Sequence, residues 1–317
     1  MRVLMVAAEN GALDGAKVGG IADVIRDLPP ALAKVGVDTD VIHPSYGDLA
    51  QRHGAQYIEH VLVPFAGRLE QVTFWRLNNA GKGATWLVSH PYFSEVYHRD
   101  LSQPFATDAT KFALFCAAVA EGLMQSLLPW PDVLHLHDWH GCFLTILQRY
   151  CGRYQRLQNC RTVLTVHNIA MQGIRPMEQN SSSLQGWYPE LYGQLTPDQR
   201  QQICDARLMH CLNPLRAGVN LADKIHVVSP TYAQEILKHS EPWQGFFGGE
   251  GLEQDLRSRQ QDLVGILNGC DYQVALPKRN YAQLLTLVES ALCEWLSQQP
   301  QTRSVDQVAL LRLQQWQ

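Results

Sequence analysis

Short apolar, β-rich runs alternate with helically spaced apolar positions along most of the 317-residue chain. Residues 2–8, with Val3, Leu4, Met5 and Val6, form the first run, and a glycine-bearing loop over 9–20 leads to helical spacing over 21–35. Residues 37–43, 133–137, 161–168 and 223–229 repeat the strand signature, while 108–125 and 141–150 carry the helical one. This order predicts an α/β fold, a Rossmann-like parallel sheet with helices on both faces. From 57 to 88 the pattern changes to an alternation typical of antiparallel strands, with turns at Gly67 and over 78–81, which predicts a small insertion. Residues 171–197, rich in Ser, Gln and Gly, read as a long mobile loop of the kind that forms lids. Residues 199–221 read as helix broken at Asn213-Pro214, and Ser229-Pro230 opens a further helix as cap and first residue. Leu-bearing helices are expected over 278–299 and 304–317.

Composition narrows the function. The net charge of −4 comes without a basic stripe, so nucleic acid is not expected as a partner. Neither a membrane span nor a secretory leader is expected, because the apolar run at the N-terminus is short and ends at Glu9, and this places the chain in the cytoplasm. Eight cysteines without a C-x-x-C spacing read as reduced, mostly buried thiols.

The chemistry concentrates in residues 132–141, which hold His135, His137, Asp138 and His140 at the end of an apolar run. Ligands bind beyond the carboxyl ends of strands in open α/β sheets, so His137, Asp138 and His140 would face a site, with His135 one pleat back and buried. A metal-dependent hydrolase built on His137, Asp138 and His140 is one reading, although the spacing differs from hydrolytic metal motifs and a second ligand cluster is lacking. The run 161–168 repeats the design and ends in His167 and Asn168. Lys17 with Gly19 and Gly20, before a helix, suits a phosphate-like anion, yet it matches neither the dinucleotide fingerprint nor the P-loop. The aromatic segment 90–97 is of the kind that lines a sugar cleft.

Six motifs in order then carry a resemblance: Lys17-Val-Gly-Gly-Ile-Ala-Asp-Val24, His135-Leu-His-Asp-Trp-His140, Thr165-Val-His-Asn168, residues 222–232, residues 249–256 and residues 265–271. Over residues 1 to about 277 the chain resembles bacterial glycogen synthase and plant starch synthase. The resemblance implies the N-terminal domain of a retaining GT-B glycosyltransferase, one that moves glucose from ADP-glucose to the non-reducing end of an α-1,4-glucan such as glycogen, with no metal and no cofactor. It implies that Lys17, Gly19 and Gly20 face the donor diphosphate, that Asp23 helps place the nucleotide-sugar, and that Asn268 sits at a hinge near the nucleotide. By the same resemblance His167 contacts the transferred glucose, Asp138 hydrogen-bonds donor or acceptor sugar, and His140 and Tyr97 line the acceptor side. Ser94-Glu-Val-Tyr97 departs from the family's Arg-Pro-Gly before the tyrosine. The second domain, with its phosphate-neutralising Arg and Lys and its sugar-binding Glu, is expected to be absent, with residues 278–317 a helical tail or truncated linker. The chain alone would then be weakly active. A non-catalytic glucan-binding or regulatory relative is the alternative.

Overall fold

A computed structural model describes residues 1–78, 83–97, 105–269 and 280–297. The chain divides into two units, Met1–Asn268 and Gly269–Gln317.

The larger unit begins with β1 (Arg2–Val6), α1 (Ile21–Lys34), β2 (Asp38–Pro44), the short α2 (Leu49–Arg52), β3 (Gln56–Phe65), β4 (Arg68–Asn78) and β5 (Ala84–Ser89). Next come α3 (Ala109–Met124), β6 (Val133–His137), α4 (Asp138–Tyr150), β7 (Arg161–Val166) and β8 (Arg175–Pro176). It continues through α5 (Leu184–Trp187), α6 (Pro189–Gln194), α7 (Pro197–Ile203), β9 (Cys211–Leu212) and α8 (Pro214–Leu221). The last elements are β10 (Lys224–Val227), α9 (Pro230–Glu235), α10 (Glu253–Ser258) and β11 (Leu263–Gly265). The smaller unit contains α11 (Tyr281–Ser297), within the helix expected over 278–299; the helix expected over 304–317 lies outside the described residues.

Nine strands form one sheet in the order β11-β10-β7-β6-β1-β2-β5-β4-β3. Pairing is parallel from β11 to β5, and only β3–β4 and β4–β5 are antiparallel. Strand β1 shows why the sheet is covered on both faces. Its side chains alternate, with Val3 and Met5 packing against Ile21 and Ile25 of α1, while Leu4 and Val6 join the larger cluster that holds α3 and α4. Both sides are apolar, so a helix layer is required on each.

Three expectations need refinement. The 57–88 stretch does contain an antiparallel hairpin, and its two-residue turn has positive φ at both Ala66 (52°) and Gly67 (72°), the geometry that matches strand twist. Its third strand, β5, nevertheless pairs parallel with β2, so the insertion extends the main sheet. The turn expected over 78–81 falls, from 79 onward, outside the described residues.

Residues 171–197 are a folded segment, not an open loop. Ser183 caps α5, and Trp187, which is fully buried, donates through Nε1 to Thr110 Oγ1 at 3.0 Å, while Tyr188 Oη donates to the Ala113 carbonyl at 2.6 Å. Leu184 and Leu191 are buried in the same core. The polar residues between these anchors are exposed and hid the pattern. Similarly, the helix expected over 199–221 is two helices, α7 and α8, joined by an extended segment whose β9 pairs with β8. Asn213 caps α8 and Pro214 is its first residue, so the break expected at this dipeptide is the start of the second helix.

Candidate active site

The parallel register brings the ends of β6 and β7 together, with His137 opposite Thr165. The chain turns from β6 into α4 without a connecting loop, which places Asp138 at φ 52°, a left-handed conformation that costs most residues roughly 1 kcal/mol and that Asp tolerates. The turn aims the Asp138 carboxylate across the gap. Its Oδ1 accepts from the backbone N–H of His167 at 2.6 Å and of Asn168 at 3.3 Å, so the end of β7 is fixed to the start of α4. On the far side of His167, the N–H of Ile169 donates to Tyr232 Oη at 3.1 Å.

A histidine group lies behind this junction. His137 Nδ1 and His167 Nε2 are 3.0 Å apart, and the two rings stack at 5.3 Å. Thr165 Oγ1 bridges His135 Nε2 at 2.7 Å and His226 Nδ1 at 2.9 Å, and the rings of His135 and His137 lie 4.3 Å apart. Burial pushes His167 down to about 4, with His226 acting in the same direction, and pushes His135 down to about 3; His137 is driven well below the usual histidine range for the same reason. At neutral pH these rings are uncharged. They can exchange hydrogen bonds with polar ligand atoms, but they do not supply a resident cation.

The glycine loop supplies the second flank. Glu9, fully buried at the end of the first strand run, accepts the N–H groups of Val18 and Gly19 on Oε2, both at 2.6 Å, and the Tyr97 hydroxyl on Oε1 at 3.2 Å. Two of the loop's backbone donors are therefore engaged by the protein's own carboxylate. Gly20 stands at the N-cap of α1, and a Cβ there would meet nothing within 4 Å, which leaves room for a group to approach. Lys17 Nζ pairs with Asp23 Oδ2 at 2.8 Å, and Asp23 also accepts from Arg26. Lys17 and Asp23 are both about half exposed, so this pair is open to exchange with a charged ligand.

His140 and Tyr97 are buried together. Their rings lie 4.6 Å apart, and Phe112 and Trp139 close around His140 at 4.5 and 4.3 Å. Thus His137, Asp138 and His140 do not converge on a point, and among the described residues no group of three or more His, Cys, Asp or Glu side chains is disposed to hold a metal ion. Asn268 is exposed, three residues beyond β11. The sequence reading missed Glu9, whose partners lie nine and ten residues ahead and eighty-eight residues away, and the β10 and α9 residues His226 and Tyr232. Glu9 carried one legible signal, an acidic residue at the carboxyl end of a buried strand.

The family model for the starch synthase catalytic domain matches residues 2–258. Glycogen synthase of Aliivibrio fischeri (strain MJ11) is 31% identical over 285 residues, covering 88% of this chain and 54% of that protein. Glycogen synthase of Caldicellulosiruptor saccharolyticus is 32% identical over 283 residues, with 87% and 54% covered. The catalytic domain of starch synthase IV from Arabidopsis thaliana, solved with ADP and acarbose bound, superimposes with a TM-score of 0.71 at 26% identity, covering 96% of this chain and 60% of that one. The chain spans about half the length of the curated relatives it matches. Among the described residues no helix is long and apolar enough to cross a membrane.

Proposed function

The chain belongs to the family of starch synthase catalytic domains, and from that premise we propose that it forms the acceptor-side half of a retaining glucosyltransferase. Its donor is ADP-glucose and its acceptor the non-reducing end of an α-1,4-glucan such as glycogen. The observation that carries this reading is the convergence, at the carboxyl ends of the neighbouring strands β1, β6 and β7, of an open, cation-bearing glycine loop and an uncharged histidine wall.

In this reading Lys17 leaves Asp23 for the donor diphosphate, Gly20 admits the phosphate to the start of α1, and Gly19 shapes the loop from its bond to Glu9. Asp23, released by Lys17 and still held by Arg26, then meets the nucleotide-sugar. His167 contacts the transferred glucose, and Asp138 acts through the backbone it holds, setting where His167 stands. Tyr97 and His140, packed against each other, support the acceptor side from beneath, and Asn268 contributes at the edge toward the nucleotide. The relative bound to ADP and acarbose supports a nucleoside diphosphate and an oligosaccharide as the ligand classes. A reducing compartment, the cytoplasm, suits the cysteines, which are free throughout the described residues.

Transfer of labelled glucose from ADP-glucose into glycogen by the native protein is the test. Incorporation that is lost in His167→Ala is expected. Incorporation that survives His167→Ala contradicts the site, and glycogen co-sedimentation without incorporation assigns the chain to a non-catalytic glucan-binding role.

A further inference from the structure

We infer that His137 is a positioning residue that fixes His167 in its Nδ1–H tautomer, so that His167 offers a hydrogen-bond donor to a substrate oxygen. The use of that donor rests on the glucosyltransferase reading; the tautomer itself follows from this chain alone.

His137 is sealed from solvent, and of its two ring nitrogens only Nδ1 has a partner, His167 Nε2 at 3.0 Å; Nε2 is buried with no hydrogen bond. One proton must lie between the rings. If His167 donated it, the proton of His137 would sit on Nε2, a buried N–H with no acceptor, and orphaned N–H groups are rarer in proteins than under-used acceptors. If His137 donates, its bare Nε2 lone pair is all that goes unused. His43 shows the same protein making this choice without ambiguity. Its Nδ1 lies 3.0 Å from the Pro44 carbonyl, which can only accept, and its buried Nε2 is likewise without a partner.

Once His137 donates, His167 Nε2 is an acceptor and the one proton of its neutral ring belongs on Nδ1. That nitrogen makes no hydrogen bond among the described residues and is not among the buried orphaned atoms, so it is the open edge of a ring otherwise packed against His137. A doubly protonated ring is disfavoured by burial beside His226. The tie between Asp138 and the His167 backbone keeps the ring at this station, so the donor is aimed before any ligand arrives.

The ring nitrogens of the full chain, labelled with ¹⁵N at histidine, report this directly near neutral pH, because a bare imidazole nitrogen resonates far downfield of a protonated one. Bare Nε2 and protonated Nδ1 on both His137 and His167 are expected. A His167 ring carrying its proton on Nε2 overturns the inference, whether or not the native protein transfers glucose. His137→Asn, whose amide N–H can stand in for Nδ1–H, should keep the His167 tautomer and most of the transfer rate. His137→Leu should release His167 to the Nε2–H form and lower kcat about 100-fold, the cost of a lost preorganised donor. Retention of the Nδ1–H form in a folded His137→Leu protein also overturns it.

Discussion

On the histidine flank His137 is sealed from water, rings touch rings, and backbone, carboxylate and hydroxyl groups hold the chain around His167. On the glycine-loop flank Lys17 and Asp23 stand about half exposed, and Glu9 beneath them engages two loop amides. Under the proposed function the difference amounts to a division of labour. The dry flank gives a fixed, uncharged surface, suited to meeting a sugar whose hydroxyls must be oriented. The wet flank gives a cation that can change partners, suited to a diphosphate that must arrive and leave.

If that division is right, acid should attack the dry flank first. His135 and His167, with His43 at the end of β2, have folded pKa values of about 3, 4 and 4 against an ordinary 6.5. The unfolded chain therefore binds more protons below pH 6.5, and stability, intact above that value, falls as pH drops toward 4. Each ring costs about 2 kcal/mol by pH 5, roughly 6 kcal/mol together. Urea unfolding measured across this range checks it, and a flat profile would mean that water already reaches these rings.

Trp187→Ala sharpens the comparison by asking whether the 171–197 segment shares the rigidity of the dry flank. Emptying that fully buried site should cost about 4 kcal/mol and open the segment to limited proteolysis. A mobile lid would lose almost nothing. On the other flank Glu9→Ala should cost about 3 kcal/mol, since it removes a buried carboxylate that accepts from two loop amides and from the Tyr97 hydroxyl, while Glu9→Gln should recover about half by keeping an acceptor oxygen. Lys17→Ala should change stability by less than about 0.5 kcal/mol, as expected of an exposed pair, yet weaken ADP-glucose binding about 10-fold. If Lys17→Ala instead destabilised the fold like Glu9→Ala, the cation would be structural and the contrast between the flanks would fail.

Much of this architecture was legible in the chain. The runs that became β1, β2, β6, β7 and β10 declare themselves through an excess of apolar and β-branched residues, as parallel strands covered on both faces do. The motifs around Lys17, Asp138 and His167 all fall at the carboxyl ends of neighbouring parallel strands, as their sequence positions implied. What escaped was long-range pairing. Glu9 looks like the polar end of a strand until the loop folds back over it, and Asp138 looks like a ligand-facing carboxylate until β7 arrives beside it. The 171–197 segment reads as a loop because Ser, Gln and Gly recur through it, whereas its fold depends on a few large residues, Leu184, Trp187, Tyr188 and Leu191. The cap at Thr196, with Gln199 returning its hydrogen bond, was a local signal that could have been read. The parallel pairing of β5 with β2 had no such signal, because alternation reports which face is buried and not which neighbour lies alongside.

Hydrogen–deuterium exchange of the native protein with increasing ADP-glucose tests most directly whether the two flanks serve one ligand. Protection should rise at residues 17–23 and at 167–169 together, with the same dependence on concentration. Protection confined to one flank, or appearing at neither, would contradict a shared donor site.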